Sequence, residues 1–296
     1  MANIILLGAG ASFGSGDVSP YPPPLGGMLF EKLESLGKTA ARLPEETKEI
    51  FRDNFERGMK EYLISSNNNV MSFQRELGGY LARFSPGQNN CYIKLLRSLN
   101  LRRFIFVSLN YDLLLEIAAF RVGLNTKYSN EYENGFLRIL KIHGSSNFWH
   151  DTTSLVMKNV VIRGSVYDYN LPISPLSQTE SIWRSISEDS AAPAMSVFAE
   201  GKAVRVSPEY VHRQQQMWFD SLSSCSKIFI VGVRVHQVDE HIWTRISKSK
   251  AHVHYYGFPS DKDEFIEWKS NFGRKNATFH LLDFAKAIPH ISRIAT

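Results

Sequence analysis

The sequence predicts an α/β fold built on a doubly wound, mostly parallel sheet with helices packed over it. Two observations carry that prediction. NIILLG (3–8), RFIFVSLN (103–110), FLRILKIHG (136–144) and SKIFIVGV (226–233) are near-continuous apolar runs, not alternating ones. Strands of that kind are buried on both faces, as in parallel sheets sandwiched by helices. Stretches with helical apolar spacing separate the runs. The 296 residues fit a single domain, 1–296, with a helical insertion at about 28–100 and an irregular segment at about 150–207.

The elements follow in order. NIILLG (3–8) is the first strand. GAGASFGSGDVSPYPPPLGG (8–27) is dense in Gly, Pro and Ser and reads as a long loop. Long loops in compact domains are usually functional or disordered. MLFEKLESLG (28–37) resumes helical spacing and stops at Gly37. From Leu43 to about Asn100 the pattern stays helical, broken by polar SSNNN (65–69) and SPGQNN (85–90). MSFQRELGGYLARF (71–84) and YIKLLRSLN (92–100) are its clearest helices. RFIFVSLN (103–110) is the second strand, YDLLLEIAAF (111–120) a helix and FLRILKIHG (136–144) the third strand. MKNVVIRG (157–164) has strand character, and the poorly periodic 170–196 has room for a short helix around Trp183. PEYVHRQQQMWFDSLSSC (208–225) is a helix, SKIFIVGV (226–233) the fourth buried strand and VDEHIWTRISK (238–248) a helix. AHVHYYG (251–257) is the fifth strand, KDEFIEWKSNF (262–272) a helix, and ATFHLLD (277–283) a short last strand.

Composition narrows the function classes. Hydrophobic residues at 43% and charged residues at 21% are the profile of an ordinary soluble globular protein. No apolar run approaches the length that spans a bilayer, and MANIILLGAGAS lacks the basic lead of a signal peptide, so a cytoplasmic protein without membrane contact is expected. Cys91 and Cys225 are far apart and cannot make a four-ligand zinc site; they read as thiols in a reducing compartment. The net charge of +5 is scattered. It allows weak nucleic-acid contact, but a solvated basic surface explains it as well.

Parallel sheets bind ligands at the carboxyl ends of their strands. The residues of interest fall there repeatedly: Gly8 to Ser12, Asn110, His143, and Gly232 onward. GAGAS (8–12) has Gly8 and Gly10 placed for a phosphate-binding turn, but Phe13 takes the third glycine position and no P-loop lysine follows. A plain tight turn explains it too. In SLNYDLLLE (108–116), Asn110 fits a helix N-cap with Asp112 near the helix's positive end. The alternative is an amide and a carboxylate facing a ligand. In KIHGSS (141–146), His143 sits where strands present ligands, and a group titrating near neutrality suits a general base. His150, His212, His236 and His241 have no comparable setting. In IFIVGVRVHQVDEHIW (228–243), Asp239 and Glu240 either cap the next helix or belong to a second nucleotide-contacting loop. His236 and His241 do not have metal-ligand spacing, so no metal is assigned.

In this order the motifs resemble the Sir2 superfamily, and its SIR2-like bacterial branch more than the zinc-containing deacylases. The resemblance rests on GAGAS at 8–12, Asn110-Tyr111-Asp112, His143-Gly144, the strand ending in Gly232, and Asp239. It implies a Rossmann-like, NAD-binding domain with a helical insertion. It implies further that Gly8, Ala9, Gly10, Ala11 and Ser12 hold the pyrophosphate and ribose. By the same likeness Asn110 and Asp112 line the nicotinamide side, His143 is the catalytic base, and Gly232 and Val233 meet the adenosine half. The chain departs from the deacylases in having no CxxC pairs for zinc, no Phe-Arg pair after the glycine turn, and Val233-Arg234 where a serine is expected.

The expected activity is therefore hydrolysis of NAD+, as substrate and without zinc, to ADP-ribose and nicotinamide. By resemblance this is a restrained effector of bacterial defence against phage, in a homo-oligomer or with a partner protein that triggers it. A NAD-dependent protein deacylase is the enzymatic alternative. A non-catalytic NAD or ADP-ribose-binding module of a larger complex is the other. Residues 28–100 would serve as a regulatory or oligomerisation surface, or as a lid.

Overall fold

The computed structural model describes residues 2–66, 69–151, 171–189, 191–196, 206–235 and 240–295. The chain opens with β1 (Asn3–Leu7), α1 (Ala9–Phe13) and β2 (Val18–Ser19). There follow α2 (Gly26–Glu34), α3 (Glu45–Asp53), α4 (Phe55–Ser65), α5 (Met71–Leu81), β3 (Ser85–Pro86) and α6 (Cys91–Ser98). Next are β4 (Phe104–Ser108), α7 (Leu114–Arg121), β5 (Asn125–Lys127), β6 (Phe136–Lys141), β7 (Phe148–His150), β8 (Ile173–Pro175) and α8 (Gln178–Ser187). The last third holds α9 (Pro208–Ser224), β9 (Lys227–Val231), α10 (Glu240–Lys248), β10 (His252–Gly257), α11 (Lys262–Asn271), β11 (Ala277–Leu281) and α12 (Phe284–Ala295).

Seven strands form one sheet in the order β11-β10-β9-β1-β4-β6-β5, and every pairing in it is parallel. This is the doubly wound, Rossmann-like α/β fold. Alternation along each strand explains the double winding. Ile5 and Leu7 of β1, with Phe104 and Phe106 of β4, enter a core that includes side chains of α2 to α7 and α12. Ile4 and Leu6, with Ile105 and Val107, enter a second core completed by Trp218 of α9, Trp243 of α10 and Trp268 of α11. Neither face of the central strands meets water, which is why their sequences are apolar throughout. The chain leaves β1 towards β4 and returns much later to β9 on the other side. The strand order therefore reverses at β1, where open α/β sheets place their ligands.

Several elements differ from expectation. The stretch 8–27 is not all loop: α1 follows Gly8 at once, and the remainder is tied down. Asp17 accepts from Gly87 N (2.6 Å, carbonyl) and Asn89 N (2.7 Å, carboxylate), and Val18 and Ser19 pair with Pro86 and Ser85. The helix expected from 111 starts at Leu114. The segment 284–295, assigned to nothing by its pattern, is α12, with Pro289 inside it. Proline removes one helical hydrogen bond, but the face carrying Phe284, Ala287, Ile288 and Ile291 is buried against the sheet and holds the helix together. A helix does form around Trp183, α8, with Ser177 and Glu180 making a capping box. The strand expected at 157–164 lies outside the described residues, as do His236 and Asp239.

A histidine ladder lies between the last strands and α12. His252 and His254 stack at 4.4 Å, His254 Nδ1 is 3.1 Å from His280 Nε2, and His280 packs 4.5 Å from His290. Burial lowers the pKa of all four, bringing His254 down to about 3 and His280 to about 4. The other charges acting on them, from Lys227, Lys269, Arg274 and Arg293, are all positive and push the same way. The folded chain thus binds these protons less readily than the unfolded chain, whose histidines titrate near about 6.5. The ladder's contribution to stability is complete above that value and is lost as pH falls towards the folded values. Urea unfolding should show a midpoint that drops from about pH 7 to about pH 4.5, and a shallower drop in His254→Phe. Equal slopes in the two proteins would show that the ladder contributes no linkage.

Candidate functional site

Two turns meet at the switch point without side chains between them. Gly8 N donates to Val231 O (3.0 Å), Gly10 N to Gly232 O (3.0 Å), and Ala11 N to Gly8 O (2.9 Å). A Cβ on Gly8 would lie 2.4 Å from Gly232 O, and one on Gly232, at φ +64°, would lie 1.9 Å from Ala11 N. The glycines expected to admit a phosphate therefore also admit one another, and three main-chain donors of the turn are spent within the fold. Ala9 is exposed at the turn, whereas Ala11 and Ser12 are buried. Val233 is in the core, and its carbonyl accepts the Tyr255 hydroxyl at 2.6 Å.

Asn110, just past β4, spans to this turn. Its Nδ2 donates to Gly8 O (2.9 Å) and to Ser12 Oγ (2.8 Å). A carbonyl can only accept, so the NH2 end must face Gly8, which fixes the direction of the amide. The Oδ1 end is buried and has no partner among the described residues. Asn110 is not the cap of α7. Leu113 is the capping position, and Asp112 just before it steadies the helix start, its Oδ1 accepting from Leu114 N at 3.1 Å. The Asp112 carbonyl accepts from Lys141 Nζ (2.7 Å), which also pairs with Glu116 (3.2 Å) in a fully buried ion pair.

His143 lies two residues beyond Lys141, at the end of the neighbouring strand β6, and is 3% exposed. The register that sets Ser108 beside Lys141 puts Asn110 and His143 equally far past their strands. The two turns are joined by Ser146 N donating to Tyr111 O (3.0 Å). Gly144, at φ +81°, packs on the strap 193–196, where a Cβ would lie 2.1 Å from Ala194 O. The strap is held by Ser196 N on His143 O (2.8 Å) and by Gln74 of α5 on Pro193 O (2.7 Å). The Ser145 and Ser146 hydroxyls are buried and unpartnered.

Contacts thus run unbroken along the carboxyl edge from Gly232 through Gly8, Gly10, Ser12 and Asn110 to the turn that carries His143. One participant has no signal in the sequence. Tyr92, on α6, is fully buried with its hydroxyl 2.9 Å from Ser12 Oγ. Burial raises its pKa well above the usual phenol value, and the Asp112 charge adds to that. Among the described residues, no group of three His, Cys, Asp or Glu side chains is placed to hold a metal ion, and no helix is long and apolar enough to cross a membrane. No protein-family model matches the chain, and no curated protein matches it in sequence.

The turn-on-turn contact has a measurable consequence. Gly232→Ala combines a left-handed backbone with a clash against main chain and should cost roughly 2–5 kcal/mol. Gly123→Ala, at φ +82° with open space around it, should cost only the backbone part, roughly 1–2 kcal/mol. Denaturant unfolding of both proteins checks this, and equal losses would mean the turns separate freely.

Proposed function

We propose that this chain is a NAD+ hydrolase of the SIR2-like kind, releasing nicotinamide and leaving ADP-ribose. The observation that supports it best is the orientation of Asn110: its NH2 is tied to the glycine turn and its carbonyl oxygen has no donor among the described residues. That oxygen lies at the sheet's switch point, one strand away from His143. A fixed acceptor there suits a ribose hydroxyl or an attacking water.

The chemistry asks little of acid catalysis. Nicotinamide leaves as a neutral molecule, because the bond's electrons quench the charge on its ring nitrogen. What is needed is a placed nucleophile and stabilisation of an oxocarbenium-like ribose. Asn110 Oδ1 accepts a hydrogen bond from water and holds it. His143, neutral, takes the proton as the water oxygen bonds to C1′, and passes it to solvent. Asp112 acts here through its charge and its bond to Leu114 N at the start of α7, not as a direct ligand. The turn 8–12 and Gly232–Val233 form the floor on which the dinucleotide lies. A restrained role in defence against phage, triggered by a partner or by self-assembly, belongs to the same proposal and rests on the resemblance.

Incubation with NAD+ in the absence of any acylated peptide should release nicotinamide. Asn110→Ala and His143→Ala should each lower that release about 10²–10⁴-fold, the usual worth of a placed general base. Release that requires an acyl-lysine peptide would make the chain a deacylase. Tight binding without product would make it a sensor. Undiminished release in either variant would remove that residue from the mechanism.

A further inference from the structure

We infer that Tyr92 is a positioning residue for Asn110, acting through the Ser12 hydroxyl; the catalytic part of this inference rests on the hydrolase reading above. The geometry is a relay. Tyr92 Oη lies 2.9 Å from Ser12 Oγ, Ser12 Oγ accepts from Asn110 Nδ2 at 2.8 Å, and the second Asn110 N–H goes to Gly8 O at 2.9 Å. Asn110 Oδ1 is then the polar atom of the set left without a partner among the described residues. A serine hydroxyl alone can rotate away. With Tyr92 beside it, the oxygen is held where both Asn110 donors can be satisfied together, so the amide cannot turn over.

Tyr92 is itself held firmly. Its ring packs edge-on against Phe284 of α12 at 5.3 Å. Its own N–H donates to Asn90 Oδ1 (2.9 Å), while Asn90 Nδ2 grips Ser15 Oγ (2.9 Å) and Gly16 O (2.5 Å). Cys91 N adds a bond to Ser15 O at 2.8 Å. Residues 90–92 therefore fasten the start of α6 to the glycine loop at three points, and only the Tyr92 hydroxyl reaches on to a residue that touches Asn110. A phenol present only for packing could be replaced by phenylalanine without effect on the site.

The test uses Tyr92→Phe, Ser12→Ala and the double variant in the full chain, with two readouts. The first is hydrogen exchange of the Asn110 side-chain amide by NMR on asparagine-labelled protein. It is expected to be slow in the parent and faster in each variant. The second is nicotinamide release from NAD+. The kcat should fall about 10–100-fold in each single variant, with KM unchanged in Tyr92→Phe, and no further in the double, because both substitutions cut one relay. Slow exchange and parental kcat in Tyr92→Phe would overturn the inference and leave the hydrolase reading standing. Losses that multiply in the double variant would also overturn it. If the parent releases no nicotinamide yet exchange quickens in both variants, the positioning role holds and the hydrolase reading fails.

Discussion

The carboxyl edge of the sheet depends on two backbone turns touching each other directly. β1 and β9 are neighbours in the sheet although more than two hundred residues separate them in the chain. Their turns bond through Gly8 N to Val231 O and Gly10 N to Gly232 O, at distances that exclude any side chain. From that contact the rest follows in sequence. The closed turn starts α1, α1 presents Ser12 inward, and Ser12 with Gly8 O receives the Asn110 amide. A side chain on Gly232 would act on Asn110 without coming near it, by lifting the platform to which the amide is tied.

The central sheet was legible because double burial leaves an unmistakable mark. Strands β1, β4, β6 and β9 are mostly apolar and almost wholly buried on both faces. The edge strand β5 was not legible: Asn125-Thr126-Lys127 pairs with β6 alone among the described strands and is at most half-buried, so nothing selects apolar residues there. α12 was hidden by Pro289, a local signal against helix that tertiary packing overrides. α1 was hidden by its own composition, since Ala-Gly-Ala-Ser reads as turn. Its one and a half turns form because Gly8 and Gly10 are anchored from outside by β9, a partner that no local window contains.

At the candidate site, the sequence brings Asn110 and Asp112 forward together without separating their roles. It presents them as one pair, capping or binding together. The structure divides them. Asp112 Oδ1 bonds back to Leu114 N at the start of α7, while Asn110 reaches across to β1. The GAGAS turn likewise has two uses for its glycines, and spacing cannot distinguish close approach of a phosphate from close approach of another strand's turn. Tyr92 was out of reach for a different reason. A tyrosine in the first turn of an amphipathic helix looks like core, and by its ring it is core. Only its hydroxyl, eighty residues from Ser12, makes it part of the edge.

The helices between β1 and β4 therefore do more than cover the sheet. α5 holds the strap behind His143 through Gln74, and α6 holds the glycine loop through Asn90 and Ser12 through Tyr92. These ties are hydrogen bonds in a buried setting, where losing one partner leaves the other unsatisfied at about 1–3 kcal/mol. Asn110 Oδ1, Ser145 Oγ and Ser146 Oγ break that rule, buried at the same edge without partners among the described residues, as do atoms elsewhere such as Trp218 Nε1 and Trp243 Nε1. At this edge the fold carries that cost beside groups that the insertion holds in place. A rigid surround with open acceptors and hydroxyls at its centre is the arrangement expected of a site shaped for a polar ligand, because a core needing only to pack would have filled those positions with carbon.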